Sequence, residues 1–308
     1  MIAVAGEALI DLVFEDGVLR PIPGGGPYNT AIALGRLDVR VAFLGRISRD
    51  HFGRLLEQGL ADSGVDSRYV LRGPAPTALA VVNDTGDGDH EFSFYLVGTA
   101  YADLTAADLP ELDSEVVAVC AGTLALATDP PAAAIETLIE RESPRRLIVV
   151  DPNVRPAVFG DRDAYRGRFE RWASFAHVIK LSEADARWLY PGGDPEAVLD
   201  ALVGQGVQLA VLTRGGDGAV ARSAAGRASV GAPAVEVVDT VGAGDSFGAG
   251  LLRRLGELEK LSATEVGRLV DAELRDALTF ATAVATLACS RAGADPPTLA
   301  EVQAFLRN

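Results

Sequence analysis

The stretch "AHVIKLSEADARWLY", residues 176–190, joins a short apolar run to a segment with helical spacing. The run 176–182 lacks a sustained alternation of polar and apolar positions, the pattern of a strand buried on both faces. Ser182 stands three residues before Asp185, a pair able to cap a helix start reciprocally, with aspartate in place of the usual glutamate or glutamine. The same handover recurs on both sides. "MIAVAG" (1–6), "VRVAFLG" (39–45), "SEVVAVCAG" (114–122), "RRLIVVD" (145–151) and "VQLAVLTRG" (207–215) read as further buried strands. "YNTAIALGRL" (28–37), "HFGRLLEQGLADSG" (51–64), "PPAAAIETLIERES" (130–143) and "PEAVLDALVGQG" (195–206) have helical spacing, the third opened by Pro130 and Pro131. Strand–helix alternation of this kind predicts an α/β fold, with an open, mostly parallel sheet covered by helices. Ligands of such sheets bind beyond the carboxyl ends of the strands, where Asp151, Lys180, Thr213 and Gly215 fall.

Two segments break the alternation. Residues 11–23, "DLVFEDGVLRPIP", read as a hairpin around Asp16-Gly17, and residues 77–99 as a second hairpin with its turn within 83–90. Strands of this kind do not join a parallel sheet easily, so they are expected to form a small antiparallel lid over the ligand crevice. With no linker or internal repeat, residues 1–308 read as a single domain, its lid built from about 11–23 and 77–99.

Composition narrows the function classes. A formal net charge of −15 disfavours nucleic acid or an anionic membrane as partner, since both need a basic patch, but leaves room for small anions held by backbone dipoles. The two cysteines, Cys120 and Cys289, lie far apart in apolar contexts and read as buried reduced thiols. Three histidines without a Cys/His cluster argue against zinc. The N-terminal stretch carries Glu7 and Asp11 and lacks the basic start of a signal peptide, and no apolar run reaches membrane-spanning length. The expected location is the cytoplasm.

"VVDTVGAGDSFGAGLL" (237–252) places Gly242, Ala243 and Gly244 between Asp239 and Asp245 at the start of an apolar helix. Glycines let the backbone approach a ligand and present amides to an anion, and the helix adds its positive end. An acid in the first turn would repel a phosphate unless it had separate work. It could take a proton from an incoming hydroxyl while the amides hold the charge of a transferred phosphoryl group. The same aspartate could equally cap the helix.

This stretch resembles the C-terminal signature D-T-x-G-A-G-D of the PfkB/ribokinase family of carbohydrate kinases. "GGGPYNTAIALGRL" (24–37) resembles the family's N-terminal glycine and asparagine signature, and "VAFLGRISRDHFG" (41–53) its usual continuation. "DPNVRPAVF" (151–159), "KLSEAD" (180–185), "VLTRGGDGA" (211–219) and "FATAVATLACSRAGA" (280–294) follow in the expected order, so the likeness spans essentially the whole chain. It implies a ribokinase-like three-layer sandwich, with Asp245 as catalytic base and Gly242, Ala243 and Gly244 as the anion hole. Asp11, Gly25, Asn29, Phe94 and Arg155 would bind sugar, and ATP would meet Asn153, Lys180, Thr213, Gly215, Gly218, Ala281 and Ala285. Glu183 would hold Mg²⁺ through water, and Asp239, Val241, Ala288, Arg291 and Gly293 match the region of a K⁺ site. Taken singly, each of these residues also has a bland reading: Asp11 as a turn residue, Asn29 as a helix-surface amide, Arg155 as a surface ion-pair partner, Glu183 as a first-turn acid, Gly215 as part of a hairpin, and the small residues of 281–288 as close packing.

The resemblance implies an ATP-dependent kinase acting on a sugar hydroxymethyl group. In "EFSFYLVGTA" (91–100), alternation sends Phe92, Phe94 and Leu96 to one face. Fructokinases and 2-keto-3-deoxygluconate kinases of the family often carry an arginine here, which in the second group meets the substrate carboxylate, so Leu96 in its place favours a neutral sugar, fructose first. The alternatives are a 2-keto-3-deoxygluconate, ribose or nucleoside kinase, or a catalytically silent sugar sensor. The partners are then sugar and ATP, with a homodimer through the lid.

Overall fold

The computed structural model describes residues 1–15, 18–84 and 90–307. Among them nine strands form the main sheet. In spatial order these are β13 (Arg227–Val230), β12 (Ala219–Ser223), β11 (Leu209–Thr213), β10 (Val178–Ser182), β9 (Leu147–Asp151), β8 (Ala118–Gly122), β1 (Ile2–Ala5), β4 (Val41–Ser48) and β5 (Asp66–Gly73). From β11 to β5 every pairing is parallel, while β12 and β13 add antiparallel to one edge. The strands β5, β12 and β13 had no counterpart in the sequence reading. β5 and β13 are partly exposed, β12 is short, and all three carry arginines, so they lack the unbroken apolar run that marks the inner strands.

Alternate residues of each inner strand feed two separate cores. Ile2, Val4, Val41 and Phe43 face one layer, with α1 (Gly26–Arg36), α2 (His51–Asp62), α7 (Ala243–Glu257), α8 (Ala263–Gly267), α9 (Asp271–Cys289) and α10 (Leu299–Phe305). Ala3, Ala5, Ala42 and Leu44 face the other, with α3 (Pro131–Glu142), α4 (Arg162–Phe175), α5 (Glu183–Leu189) and α6 (Pro195–Gly204). This is the expected three-layer sandwich. The cap at Ser182 forms as read: Asp185 N–H donates to Ser182 Oγ (3.0 Å) and Ser182 N–H to Asp185 Oδ2 (2.8 Å). The other carboxylate oxygen of Asp185 accepts the Val154 amide (2.8 Å) and so anchors the loop that carries Asn153 and Arg155.

The lid is a second sheet in the order β3 (Val18–Gly24), β2 (Leu9–Glu15), β6 (Leu79–Asp84), β7 (His90–Tyr95). Each hairpin is antiparallel, and the seam between them, β2 with β6, is parallel. Both seam strands leave the main sheet from strands running the same way, β1 and β5, which sets their direction. The turns read at Asp16-Gly17 and within 83–90 fall on residues 16–17 and 85–89, outside the described residues. In the main sheet the chain moves from β1 out to β4 and β5, then returns to β8 on the other side of β1. That reversal opens a crevice beyond the ends of β1 and β8, the place where such folds bind ligands.

Candidate active site

Three consecutive glycines, Gly24, Gly25 and Gly26, lead from β3 into α1, and a different side chain occupies the space beside each. A Cβ on Gly24 would overlap the Asp11 carboxylate, and one on Gly26 would overlap Thr123 Oγ1. Gly25 adopts φ 107°, and a Cβ there would sit 2.9 Å from the Glu7 carbonyl oxygen. The chain can therefore fold closely around Asp11, Glu7 and Thr123 only without side chains at these positions.

These residues line a cavity of about 340 Å³ at the switch point, together with Asn29, Phe94, Asn153, Arg155, Gly242, Gly244 and Asp245. Asp245 is 7% exposed and sits in the first turn of α7. Asn29, in the first turn of α1, donates through Nδ2 to Asp245 Oδ2 (3.0 Å). Burial raises the Asp245 carboxyl to about 6, with the Asn29 hydrogen bond pulling it back. Burial likewise raises Asp11 to about 7, opposed by Arg155. Asp11, Gly25, Asn29, Phe94, Arg155 and Asp245 thus come together as expected.

A second cavity, of about 480 Å³, opens on the other side of the 240–244 turn. Thr213, Gly215 and Gly218 contribute its polar rim, and Val235, Val237, Phe247, Ala285 and Thr286 its apolar wall. Thr240 and Gly244 line both cavities. Between them Gly242 takes φ 73°, and a Cβ there would stand 2.8 Å from the Ala294 Cβ, so glycine is required on both conformational and steric grounds. The Ala243 amide closes a turn onto the Thr240 carbonyl (3.2 Å), which leaves the following first-turn amides of Gly244 and Asp245 for an anion. Ala243 therefore contributes to the nucleotide-side wall and to the turn rather than a free amide.

Several expected residues stand elsewhere. Ala281 is fully buried against Gly250 in the α7–α9 contact and does not line the nucleotide cavity, because it points inward along α9; Thr282 lines it instead. Asn153 lines the sugar-side cavity, at φ 39°, where its Nδ2 donates to Thr123 Oγ1 (3.3 Å) and its Oδ1 accepts from Arg155 (2.6 Å). Lys180 is 4% exposed and pairs with Asp151 (2.5 Å) beneath α7, against a small cavity of about 40 Å³ behind Asp245, and its Nζ lies 3.5 Å from where a Cβ on Gly244, which lines both ligand cavities, would stand. Burial opposes its charge, and the neighbouring Asp151 outweighs that, so the ammonium is held above its usual range. Glu183, at the start of α5, pairs with Arg187 (2.7 Å). Leu96 lines a neighbouring cavity of about 490 Å³ under the lid, not the one holding Asp245. The side chain of Phe92 lies outside the described residues. Cys120 is buried and Cys289 half-buried on the nucleotide cavity.

The cluster read as a K⁺ site is compact. Asp239 accepts the amides of Val241 (3.0 Å) and Gly293 (2.8 Å), tying the 240–244 turn to the loop after α9. The Ala288 carbonyl accepts the Arg291 amide (3.2 Å), while the Arg291 side chain pairs with Asp295 and Glu301. Two residues of the sugar-side cavity, Glu7 and Thr123, carried no motif in the sequence. Thr123, a β-branched residue held at φ 54° directly after β8, is the stronger anomaly, since such backbone strain concentrates at functional sites.

A polar, acid-lined cavity and an apolar one that share a helix N-terminus, with a buried carboxylate at the junction, define the site of a phosphotransferase. The model of the pfkB family carbohydrate kinases matches residues 1–301, and the chain belongs to that family. It is 36% identical over 281 residues to the fructokinase of Rhizobium leguminosarum bv. trifolii, covering 90% of this chain and 86% of that protein. A crystal structure of fructokinase with bound ATP from Xylella fastidiosa superposes with a TM-score of 0.90 at 27% identity, covering 99% of this chain and 98% of that one. A fructokinase double mutant from Vibrio cholerae O395, in fructose, ADP and potassium ion bound form, gives a TM-score of 0.88 at 29% identity, covering 99% and 97%. Among the described residues no helix is long and apolar enough to cross a membrane.

Proposed function

We propose that the protein is an ATP-dependent fructokinase, transferring the γ-phosphoryl group of ATP to a hydroxymethyl group of fructose. The observation that carries this reading is the shared wall: Thr240 and Gly244 line both cavities, and Asp245 stands in the sugar-side one beside them. The sugar hydroxyl gives its proton to the Asp245 carboxylate, held in position by Asn29 Nδ2, and the developing alkoxide attacks the terminal phosphorus. The first-turn amides of α7 and its positive end face the charge of the transferring group. Phe94, on the lid strand β7, closes over the sugar side and excludes water, which protects ATP from hydrolysis.

A neutral sugar follows from charge. The sugar-side cavity holds the carboxyl groups of Glu7, Asp11 and Asp245 against the single guanidinium of Arg155. A sugar acid would meet more like charge than unlike, and a neutral polyol would find acceptors for its hydroxyl protons. This replaces the argument from Leu96, which does not face the cavity.

Mg²⁺ fits the donor set as an ion held mainly by water and phosphate oxygens. Glu183 follows directly on Ser182, whose strand partner Thr213 lines the nucleotide cavity, and its carboxylate pairs with Arg187. When bound, Mg²⁺ supplies neutralisation of the ATP phosphates. The loops joined by Asp239 give K⁺ a setting of carbonyls, each with a second lone pair, beside the anion hole. We also read the protein as cytoplasmic, from its unpaired thiols, and as a homodimer through the lid, whose Phe14, Val18, Leu19 and Tyr95 are exposed. Sedimentation as a monomer at micromolar concentration would remove the dimer.

The direct test is ADP release over a panel of sugars and nucleosides with Mg²⁺, in K⁺ and in Na⁺. Fructose should give the highest kcat/KM, and 2-keto-3-deoxygluconate should be poorer by at least ~10-fold, the scale of one uncompensated charge contact. Sugar binding without ADP would make the protein a sensor, and a preferred sugar acid would overturn the charge argument.

A further inference from the structure

Glu7 is the acid of the sugar-side cavity for which phosphoryl transfer has no use. It stands between β1 and β2 and is 1% exposed. Its Oε2 accepts the Ala125 amide (3.0 Å), which fixes the segment after β8 on the far side of the switch point. Its Oε1 is buried and has no hydrogen-bond partner among the described residues. The backbone of Gly25 packs against its stem: a Cβ there would come within 3.2 Å of Glu7 Cγ. A buried carboxyl oxygen left without a partner is costly, and native proteins keep such atoms where something else completes them. Glu7 is one of the residues that line the sugar-side cavity. Burial lifts the carboxyl to about 7, while nearby backbone amides favour its charged form. Either form serves a hydroxyl, since the carboxylate accepts and the acid both accepts and donates.

We propose that Glu7 is a sugar-contacting specificity residue whose Oε1 pairs with a hydroxyl of the bound ketohexose other than the one phosphorylated. The inference rests on the fructokinase reading of the same site and adds a contact to it. Asp11, on β2, and Glu7, in the loop before it, then both hold the sugar, and Asp245 is left for the reacting oxygen.

The test is a binding cycle by titration calorimetry on the full-length protein, using fructose and each monodeoxyfructose against wild type, Glu7→Ala and Glu7→Gln. In wild type, removing the matched hydroxyl should weaken binding roughly tenfold or more, the scale of a hydrogen bond to a charged group. In Glu7→Ala, fructose and that analogue should bind alike, the other analogues should keep their wild-type ranking, and ATP affinity should hold within about threefold of wild type, as for a contact confined to the sugar side. Glu7→Gln, which keeps an oxygen for the Ala125 amide, should recover part of the fructose affinity. Should Glu7→Ala weaken every sugar by one common factor, or none, Glu7 only supports the loop and the proposal is overturned. Failure of wild type to bind fructose would strike the fructokinase reading itself, and this inference with it.

Discussion

Asp245→Asn is expected to lower kcat by at least ~100-fold, the usual scale of a positioned general base. Asparagine keeps the shape of the side chain and an oxygen for the Asn29 amide, which lies 3.0 Å from the present carboxylate. It cannot take a proton from the sugar. Because Asp245 is buried, replacing an ion with a neutral amide removes a desolvation cost and should not unfold the protein. Fructose affinity should stay within a few-fold of wild type, since the substrate hydroxyl can still donate to the amide oxygen. Calorimetry and ADP release on the same preparation separate the two effects. Turnover close to wild type would take Asp245 out of the proton transfer.

Gly26→Ala should reduce kcat/KM for fructose by on the order of 100-fold, as expected when reacting groups are displaced by about an ångström. The added methyl would overlap Thr123 Oγ1 and stand 3.4 Å from Asp245 Oδ1. Thr123 is buried, strained and bonded to Asn153, so it cannot yield easily. The start of α1 has to move instead, and Asn29, in the same turn, moves with it. The double variant Gly26→Ala/Thr123→Gly removes the obstruction, and glycine suits the positive φ at 123, so activity should return in large part. Activity of the single variant within threefold of wild type, or no recovery in the double one, would show that the close approach does not set the geometry.

The layered fold was legible because inner parallel strands leave unbroken apolar runs and their helices carry caps such as Ser182 with Asp185. The edge strands β5 and β13 and the short β12 beside β13 were not, since Arg68, Arg72, Arg222 and Arg227 interrupt that signal. The DTVGAGD stretch and the glycine run line opposite parts of one cavity, and both were legible because they need backbone without side chains at fixed places. Residues whose role depends on a neighbour brought in from afar gave no signal. Glu7 meets Ala125 and Thr123 meets Gly26 only once β1 and β8 lie side by side. Nor does anything local say that Asp151, on the adjacent strand, pairs with Lys180. Ala281 differs from Ala285 only by one helical turn and by the proximity of Gly250, which sequence spacing does not report.

The claim on which the account depends is that ionised Asp245 accepts the sugar proton as the phosphoryl group crosses between the cavities. Burial also raises Asp11 and Glu7 to about 7, and saturating fructose removes their effect on sugar binding from the measured rate. The decisive measurement is the single-turnover rate of fructose phosphorylation with both substrates saturating, from pH 8 down to pH 5. Burial already raises this carboxyl to about 6 in the unliganded protein, and its protonation must slow the step as pH falls, so the rate should drop through a one-proton limb. A rate that stays level to pH 5 in a protein still folded by circular dichroism would contradict it.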